Sequence, residues 1–176
     1  MNQKQLLDLG RISWLWQNSE LHKEWQVGAM SRYVLPAVAS NQYLIIEHEG
    51  TPVAYCSWAL FDEQAESEYV VDPASLSPQR WNCGERLWFI DWISPFNPRF
   101  TWMLRAELNN RFPGYLARAM RVKKTSDKAR IASFSGKGLS REESHALRRQ
   151  YFADMVEGVQ EAQQSGADIN VHTITG

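Results

Sequence analysis

The order of apolar and polar positions divides the chain into short, well-punctuated elements. Apolar side chains at Leu6, Leu7, Leu9, Ile12, Leu15 and Trp16 recur at helical spacing and predict a first amphipathic helix. Asn18-Ser19 interrupts it. Ser19 stands where it would cap a second helix opening Glu20-Leu-His-Lys-Glu-Trp25 and running through Met30 and Val34 to a bend or end at Pro36. Two apolar, partly β-branched runs, 43–47 and 53–58, flank Glu49-Gly50-Thr51-Pro52 and predict a β-hairpin. Residues 62–84 are polar, carry the turn signals Asp72-Pro73 and Ser77-Pro78, and read as irregular. A third strand covers 87–93 and ends at Ser94-Pro95. Helical spacing returns near Phe100 to Phe112, and strand-like runs follow at 116–122 and 130–134. After a loop with Gly136, Lys137 and Gly138, Ser140-Arg-Glu-Glu143 reads as a capping box opening a last helix to about Gln163. Mixed helices and short strands predict one α/β (α+β) domain over 1–164, with a polar tail over 165–176.

Composition narrows the function classes. At 176 residues, the chain is long enough for one ordinary domain. Its 44% hydrophobic and 22% charged residues make it globular, not disordered. The 12% aromatic content can build a dense core or line a groove for something apolar, and it allows a homodimer. A net charge of −1 gives no general attraction to nucleic acid or anionic membrane. Two cysteines, Cys56 and Cys83, make neither a disulfide scaffold nor a metal cluster. No run nears the roughly 20 apolar residues of a membrane span, and the N-terminus lacks a signal-peptide core. A soluble protein of a reducing cytoplasm fits these features.

His22, His48, His145 and His172 show no metal-ligand spacing, and neither a phosphate-binding glycine loop nor a G-x-S-x-G elbow is present. Two residues still stand out. His22 falls in the predicted first helical turn after Ser19, where the helix dipole disfavours the imidazolium and so favours the neutral ring a general base needs. The alternative is an ordinary surface histidine. Asp91 lies inside Trp88-Phe-Ile-Asp-Trp-Ile93, and regular alternation puts it on one face with Leu87, Phe89 and Ile93. A carboxylate there requires a partner. Arg86, Arg118 or Arg121 could pair with it; alternatively it holds His22 by the ring N–H. Ser19 could donate to a substrate or simply cap, and Asn41-Gln42 could supply amides to a ligand carbonyl or simply turn the chain. Cys56 reads as an inert core thiol. The basic stretch Arg118, Arg121, Lys123, Lys124, Lys128 and Arg130 is either a solvated edge or a docking patch for an acidic carrier protein or a phosphopantetheine phosphate.

Several blocks in register resemble the RTX toxin-activating lysine acyltransferases: Trp14-Leu-Trp16, Ser19 and Leu21-His22, Val34-Leu-Pro-Ala37, Ser40-Asn-Gln-Tyr43, Ala54-Tyr-Cys-Ser-Trp-Ala59, Arg86-Leu-Trp-Phe-Ile-Asp-Trp-Ile93 and Pro95-Phe96. The likeness runs from about Trp14 to Phe96 and continues more thinly through Phe112-Pro113, Arg118-Ala-Met-Arg-Val122 and the stretch from Phe134 to Lys137. It implies a GNAT-like fold, a mixed central sheet flanked by helices. It implies an acyl donor carried as a 4'-phosphopantetheine thioester on acyl carrier protein, and an RTX protoxin whose internal lysines are acylated. The family's essential histidine and aspartate fall on His22 and Asp91. On this reading His22 is the general base, Asp91 holds its ring, and Ser19, Asn41, Gln42 and Arg121 contact substrate. A transient acyl-imidazole on His22 is the alternative chemistry. Trp88, Phe89, Trp92 and Phe96 could wall an acyl slot, or simply pack the core. Rival readings are an acyl-CoA-dependent N-acyltransferase and a non-catalytic chaperone for a secreted partner. The chain has no Arg/Gln-x-x-Gly-x-Gly/Ala pyrophosphate loop, which weighs against the first.

Overall fold

The computed structural model describes residues 1–121 and 130–164. Val122, Lys123, Lys124, Lys128 and the 165–176 tail therefore lie outside the described residues. Five strands form one mixed sheet in the order β1 (Tyr43–His48), β2 (Thr51–Phe61), β3 (Arg86–Ile93), β4 (Leu116–Arg121), β5 (Arg130–Ser135). All neighbours are antiparallel except β3 and β4, which run parallel. Helix α5 (Pro98–Arg111) covers one face. Helices α1 (Gln3–Gln17), α3 (Leu35–Ser40) and α4 (Glu63–Val71) cover the other, α2 (Met30–Tyr33) leads into α3, and α6 (Arg141–Gln164) packs on α4 and β4. This is the GNAT-like arrangement expected.

Local chemistry explains most of the elements. In α5, Phe100, Leu104 and Leu108 recur every four residues and are the buried stripe, each stabilising by about 1.5–3 kcal/mol. Asn97 caps that helix by accepting from the Arg99 N–H. The capping box at α6 forms as read: Ser140 N–H donates to Glu143 at 2.8 Å and Glu143 N–H to Ser140 Oγ at 3.1 Å. The β1–β2 hairpin turns at Glu49 (φ 52°) and Gly50 (φ 77°), both left-handed, as the twist of a two-residue turn requires.

Three expectations need correction. Residues 19–25 form a run of turns instead of a helix. His22 N–H and Lys23 N–H both bond the Ser19 carbonyl, and Trp25 N–H bonds that of His22, but the ladder stops there. The rings of Trp16, His22 and Trp25 gather into one cluster, and this tertiary packing overrides the local helix propensity. Pro36 opens α3 in its first turn, where a missing N–H costs nothing, instead of ending a helix. The 62–84 segment holds α4, capped by Asp62 accepting from Ala65 N–H at 2.7 Å.

Helix α4 was illegible because its core-facing residue Glu66 is charged. Glu66 is fully buried, accepts from Trp88 Nε1 at 2.6 Å and Arg86 Nη1 at 2.8 Å, and contacts Arg118. Arg86 also reaches Glu63 and, at 2.6 Å, Asp154 of α6. Arg118 lies between the rings of Trp88 and Tyr151, and burial lowers its pKa to about 10. Arg86 and Arg118 are therefore the partners of Glu66, not of Asp91, and Arg118 is no docking cation.

Candidate active site

The site begins where α1 ends. Asn18 closes the helix by donating Nδ2 to the Trp14 carbonyl at 2.8 Å, and the chain turns sharply at Ser19. The turn brings Ser19 Oγ to 2.7 Å from Nδ1 of His22. The other ring nitrogen, Nε2, lies 3.1 Å from Asp91 Oδ1. Asp91 Oδ2 accepts from Trp16 Nε1 at 3.0 Å. His22 is 5% and Asp91 7% exposed, and the carboxylate meets its need for partners with one imidazole and one indole; among the described residues no arginine pairs with it. The Trp16 ring sits 4.9 Å and the Trp25 ring 4.7 Å from the His22 ring, and the two indoles meet edge to face at 5.4 Å, so the three rings form one triangle.

A β-bulge aims Asp91. Ser57 pairs with Asp91 but Trp58 pairs with Phe89, so Ile90 is an extra residue in β3. Leu87 and Phe89 consequently pack toward α5, whereas Asp91 and Ile93 point to the α1 face. The expected common face of Leu87, Phe89, Asp91 and Ile93 does not exist; regular pleating would have buried the carboxylate against α5, away from His22.

The ionised Asp91 can only accept, which puts the ring proton of His22 on Nε2 and leaves the Nδ1 lone pair to the Ser19 hydroxyl. Ser19, His22 and Asp91 thus form a continuous hydroxyl–imidazole–carboxylate line. The dipole rationale for a neutral His22 does not apply, since no helix starts at Ser19. Trp16 was missed: a tryptophan at a buried helical position reads as core, and nothing local reveals that its N–H faces a carboxylate.

The remaining candidates lie elsewhere. Asn41 is exposed with φ 56° and ends α3. Gln42 is buried and donates Nε2 to the Trp81 carbonyl at 3.0 Å. Among the described residues neither bonds His22 or Asp91, so the structure does not gather these amides at the site. Arg121 ends β4 with its guanidinium 6.0 Å from the Phe134 ring. In the parallel register it would face Asp91, but among the described residues β3 and β4 pair at Trp88–Arg118 and Phe89–Ala119, short of that position. Burial and nearby Asp91 push the Cys56 thiol well up, keeping it protonated and inert. Of the four aromatics considered for an acyl slot, Phe89 and Trp92 do line a narrow cleft under α5 together with Phe134. Trp88 lies on the other face, and Phe96 is exposed. Among the described residues no helix is long and apolar enough to cross a membrane.

The comparisons agree on one family. The sequence profile of HlyC, the RTX toxin acyltransferase family, matches residues 1–135. The protein-lysine palmitoyltransferase CyaC of Bordetella bronchiseptica is 40% identical over 151 residues, covering 86% of this chain and 82% of that protein. The protein-lysine myristoyltransferase RtxC of Kingella kingae is 40% identical over 132 residues, 75% and 78% of the two chains. The leukotoxin-activating lysine-acyltransferase LktC of Mannheimia haemolytica is 39% identical over 137 residues, 77% and 81%. The chain belongs to the RTX toxin acyltransferase family.

Proposed function

We propose that this acyltransferase moves a fatty acyl group from the phosphopantetheine thioester of acyl carrier protein to internal lysine amines of an RTX protoxin in the cytoplasm, and so activates the toxin. The observation that carries the reading is the buried Ser19–His22–Asp91 line, in a chain whose relatives are named as lysine acyltransferases.

A lysine amine, with a pKa near 10.4, is protonated and inert at neutral pH. With Nε2–H held by Asp91, the free basic atom of His22 is Nδ1, and Ser19 Oγ covers it. The ammonium proton therefore passes to Ser19 Oγ while the Ser19 proton passes to Nδ1. The neutral amine adds to the thioester carbonyl, the C–S bond breaks, and the remaining surplus amine proton neutralises the departing thiolate. Imidazolium, stabilised by Asp91, returns its proton to solvent. A positioned base of this kind contributes about 10²–10⁴ in rate. The acyl-imidazole route is disfavoured, since neither ring nitrogen presents a free lone pair to the thioester.

The same line favours a second reading, in which Ser19 Oγ is itself acylated before lysine attacks. Rapid-quench trapping separates the two. An ester on Ser19, absent in Ser19→Ala, supports the two-step route; full turnover with no trapped acyl-enzyme supports direct transfer.

Two features bear on the substrates. The turn from β3 into α5, Ser94-Pro95-Phe96-Asn97-Pro98, contains no glycine, spends the Arg99 N–H on the Asn97 cap, and begins the helix with a residue lacking an N–H. It is a poor cradle for a nucleotide pyrophosphate, which favours carrier-bound donor over acyl-CoA. On the His22 side, Trp25 and Tyr33 line an open cleft of about 740 Å³ with Gly28, Ser31 and Arg32, a route for an extended lysine-bearing segment.

The test supplies a protoxin fragment with either acyl carrier protein thioester or acyl-CoA. Transfer from the carrier alone, or far faster from it, is expected. Transfer from CoA alone contradicts the donor assignment, and binding of the fragment with no transfer from either donor favours a chaperone.

A further inference from the structure

The groups that would handle the lysine are closed off in this fold. Ser19 is 9% exposed, and His22 and Asp91 are buried as well. A lysine amine cannot reach a base that meets so little solvent, so a side chain has to move before transfer. The triangle of rings at His22 identifies which one. Trp16 is buried and tied by its indole N–H to Asp91 at 3.0 Å. Trp25 is the outer ring of the three, 39% exposed. It is held by ring contacts, 4.7 Å from His22, 5.4 Å from Trp16 and 5.5 Å from Tyr33, and among the described residues its indole N–H makes no hydrogen bond.

The chain that carries Trp25 is lightly anchored. The run of turns ends with the Trp25 N–H on the His22 carbonyl at 2.8 Å, and Gln26 is already extended, with ψ 143°. Residues 23–28 are all exposed. A segment with so few buried contacts belongs to the low-stability end of a fold. Trp25 also lines the open cleft of about 740 Å³, with Arg32, Tyr33, Leu76 and Pro78, whereas neither Ser19 nor His22 lines it. One ring is therefore common to the base and to the cleft, and the cleft has room for an indole on the side away from His22.

Resting on the lysine path proposed above, we propose that Trp25 is a movable cover over Ser19 and His22, which keeps water from the base and turns into the cleft when the acceptor's lysine side chain takes its place against the imidazole. Tyr33, already in contact with Trp25 and lining the cleft, is the surface that receives the displaced ring. A closed site protects a reactive acyl group from hydrolysis until the amine arrives. Without the cover, water takes the amine's part. Its oxygen adds to the thioester carbonyl while one of its protons passes through Ser19 to Nδ1 of His22. The C–S bond then breaks, the imidazolium protonates the departing thiolate, and a free carboxylic acid and a thiol are released.

Two readouts test the cover, and the first needs no substrate. Diethyl pyrocarbonate modifies accessible neutral imidazoles, and peptide masses report each histidine separately. In wild type, His22 should label about tenfold more slowly than the exposed His145, because a minor open state is populated at about 10% or less. Trp25→Ala should close most of that gap, whereas Trp25→Phe, which keeps a ring in place, should stay within about threefold of wild type. The second readout is hydrolysis of the acyl thioester without acceptor, which Trp25→Ala should raise about tenfold. An unchanged melting temperature verifies the fold, and Trp25→Leu repeats the comparison if alanine lowers it. Wild-type His22 labelling at the His145 rate, or labelling that differs less than about twofold between wild type and Trp25→Ala, overturns the cover. So does hydrolysis that fails to rise in the variant of a wild type that acylates lysine. A wild type that acylates no lysine, with the labelling difference intact, overturns the functional reading and leaves the cover standing.

Discussion

Asp91 Oδ1 stands 3.1 Å from Nε2 of His22, two residues from opposite ends of the sequence span that builds the site, both nearly excluded from water. The contact fixes which ring nitrogen carries the proton, and with it which atom can act as base. Asp91→Asn preserves the shape but replaces an acceptor-only group that stabilises imidazolium. It should lower kcat about 10²–10⁴-fold while acceptor-fragment affinity stays within about twofold. Steady-state transfer and fragment binding measured together check this; a kcat within about threefold of wild type would contradict it.

Trp16 shares that carboxylate through its indole N–H. Trp16→Phe keeps an aromatic ring beside His22 and removes only the donor and some bulk. A hydrogen bond to a charged group is worth about 1.5–3 kcal/mol. We expect kcat to fall about tenfold or more, with KM little changed. A loss confined to melting temperature, with kcat intact in the folded variant, would make Trp16 a packing residue only.

Asp8 anchors α1, the helix that delivers Trp16 and Ser19. Burial pushes its carboxyl up, but hydrogen bonds from Lys4, Tyr43 and Arg11 outweigh this and hold it below the ordinary value. A carboxyl depressed in the folded state contributes stability above its unfolded value, and that contribution is lost as pH falls through the folded one. Asp8→Asn should cost about 2 kcal/mol at pH 7, and its deficit should shrink below about pH 4. Urea unfolding at pH 7 and pH 3 checks the sign; a deficit that grows in acid contradicts it.

Glu66 is the common acceptor for Arg86, Trp88 and Arg118 beneath α4. Glu66→Gln leaves the buried Arg118 with only the more distant charge of Asp154 to offset it, and breaking such a pair costs about 3–5 kcal/mol. Equilibrium unfolding should register that loss, and a change below about 1 kcal/mol would mean water reaches Arg118.

The elements with strong periodicity were legible: α1 from its apolar stripe, the hairpin from its turn, α6 from its capping box. What escaped depended on partners distant in sequence. The 19–25 segment has helical residues, yet three aromatic rings pull it into a turn. Helix α4 hides its buried face behind Glu66, whose charge is tolerable only because two arginines arrive from β3 and β4. His22 and Asp91 could each be singled out, one by its position after Ser19 and one by its apolar surroundings. Their juxtaposition depends on the extra residue Ile90, and a bulge is set by pairing with Ser57 and Trp58, not by the pattern within β3. Trp16 gave no sign because an indole N–H and an indole ring occupy the same letter.

The most direct test of the account is intact-mass spectrometry of a protoxin fragment incubated with acyl carrier protein thioester and either wild type or His22→Ala. Wild type should add the mass of one acyl group per modified lysine, and the variant none. Equal acylation by the variant, or no acylation by wild type although the fragment binds, would contradict it.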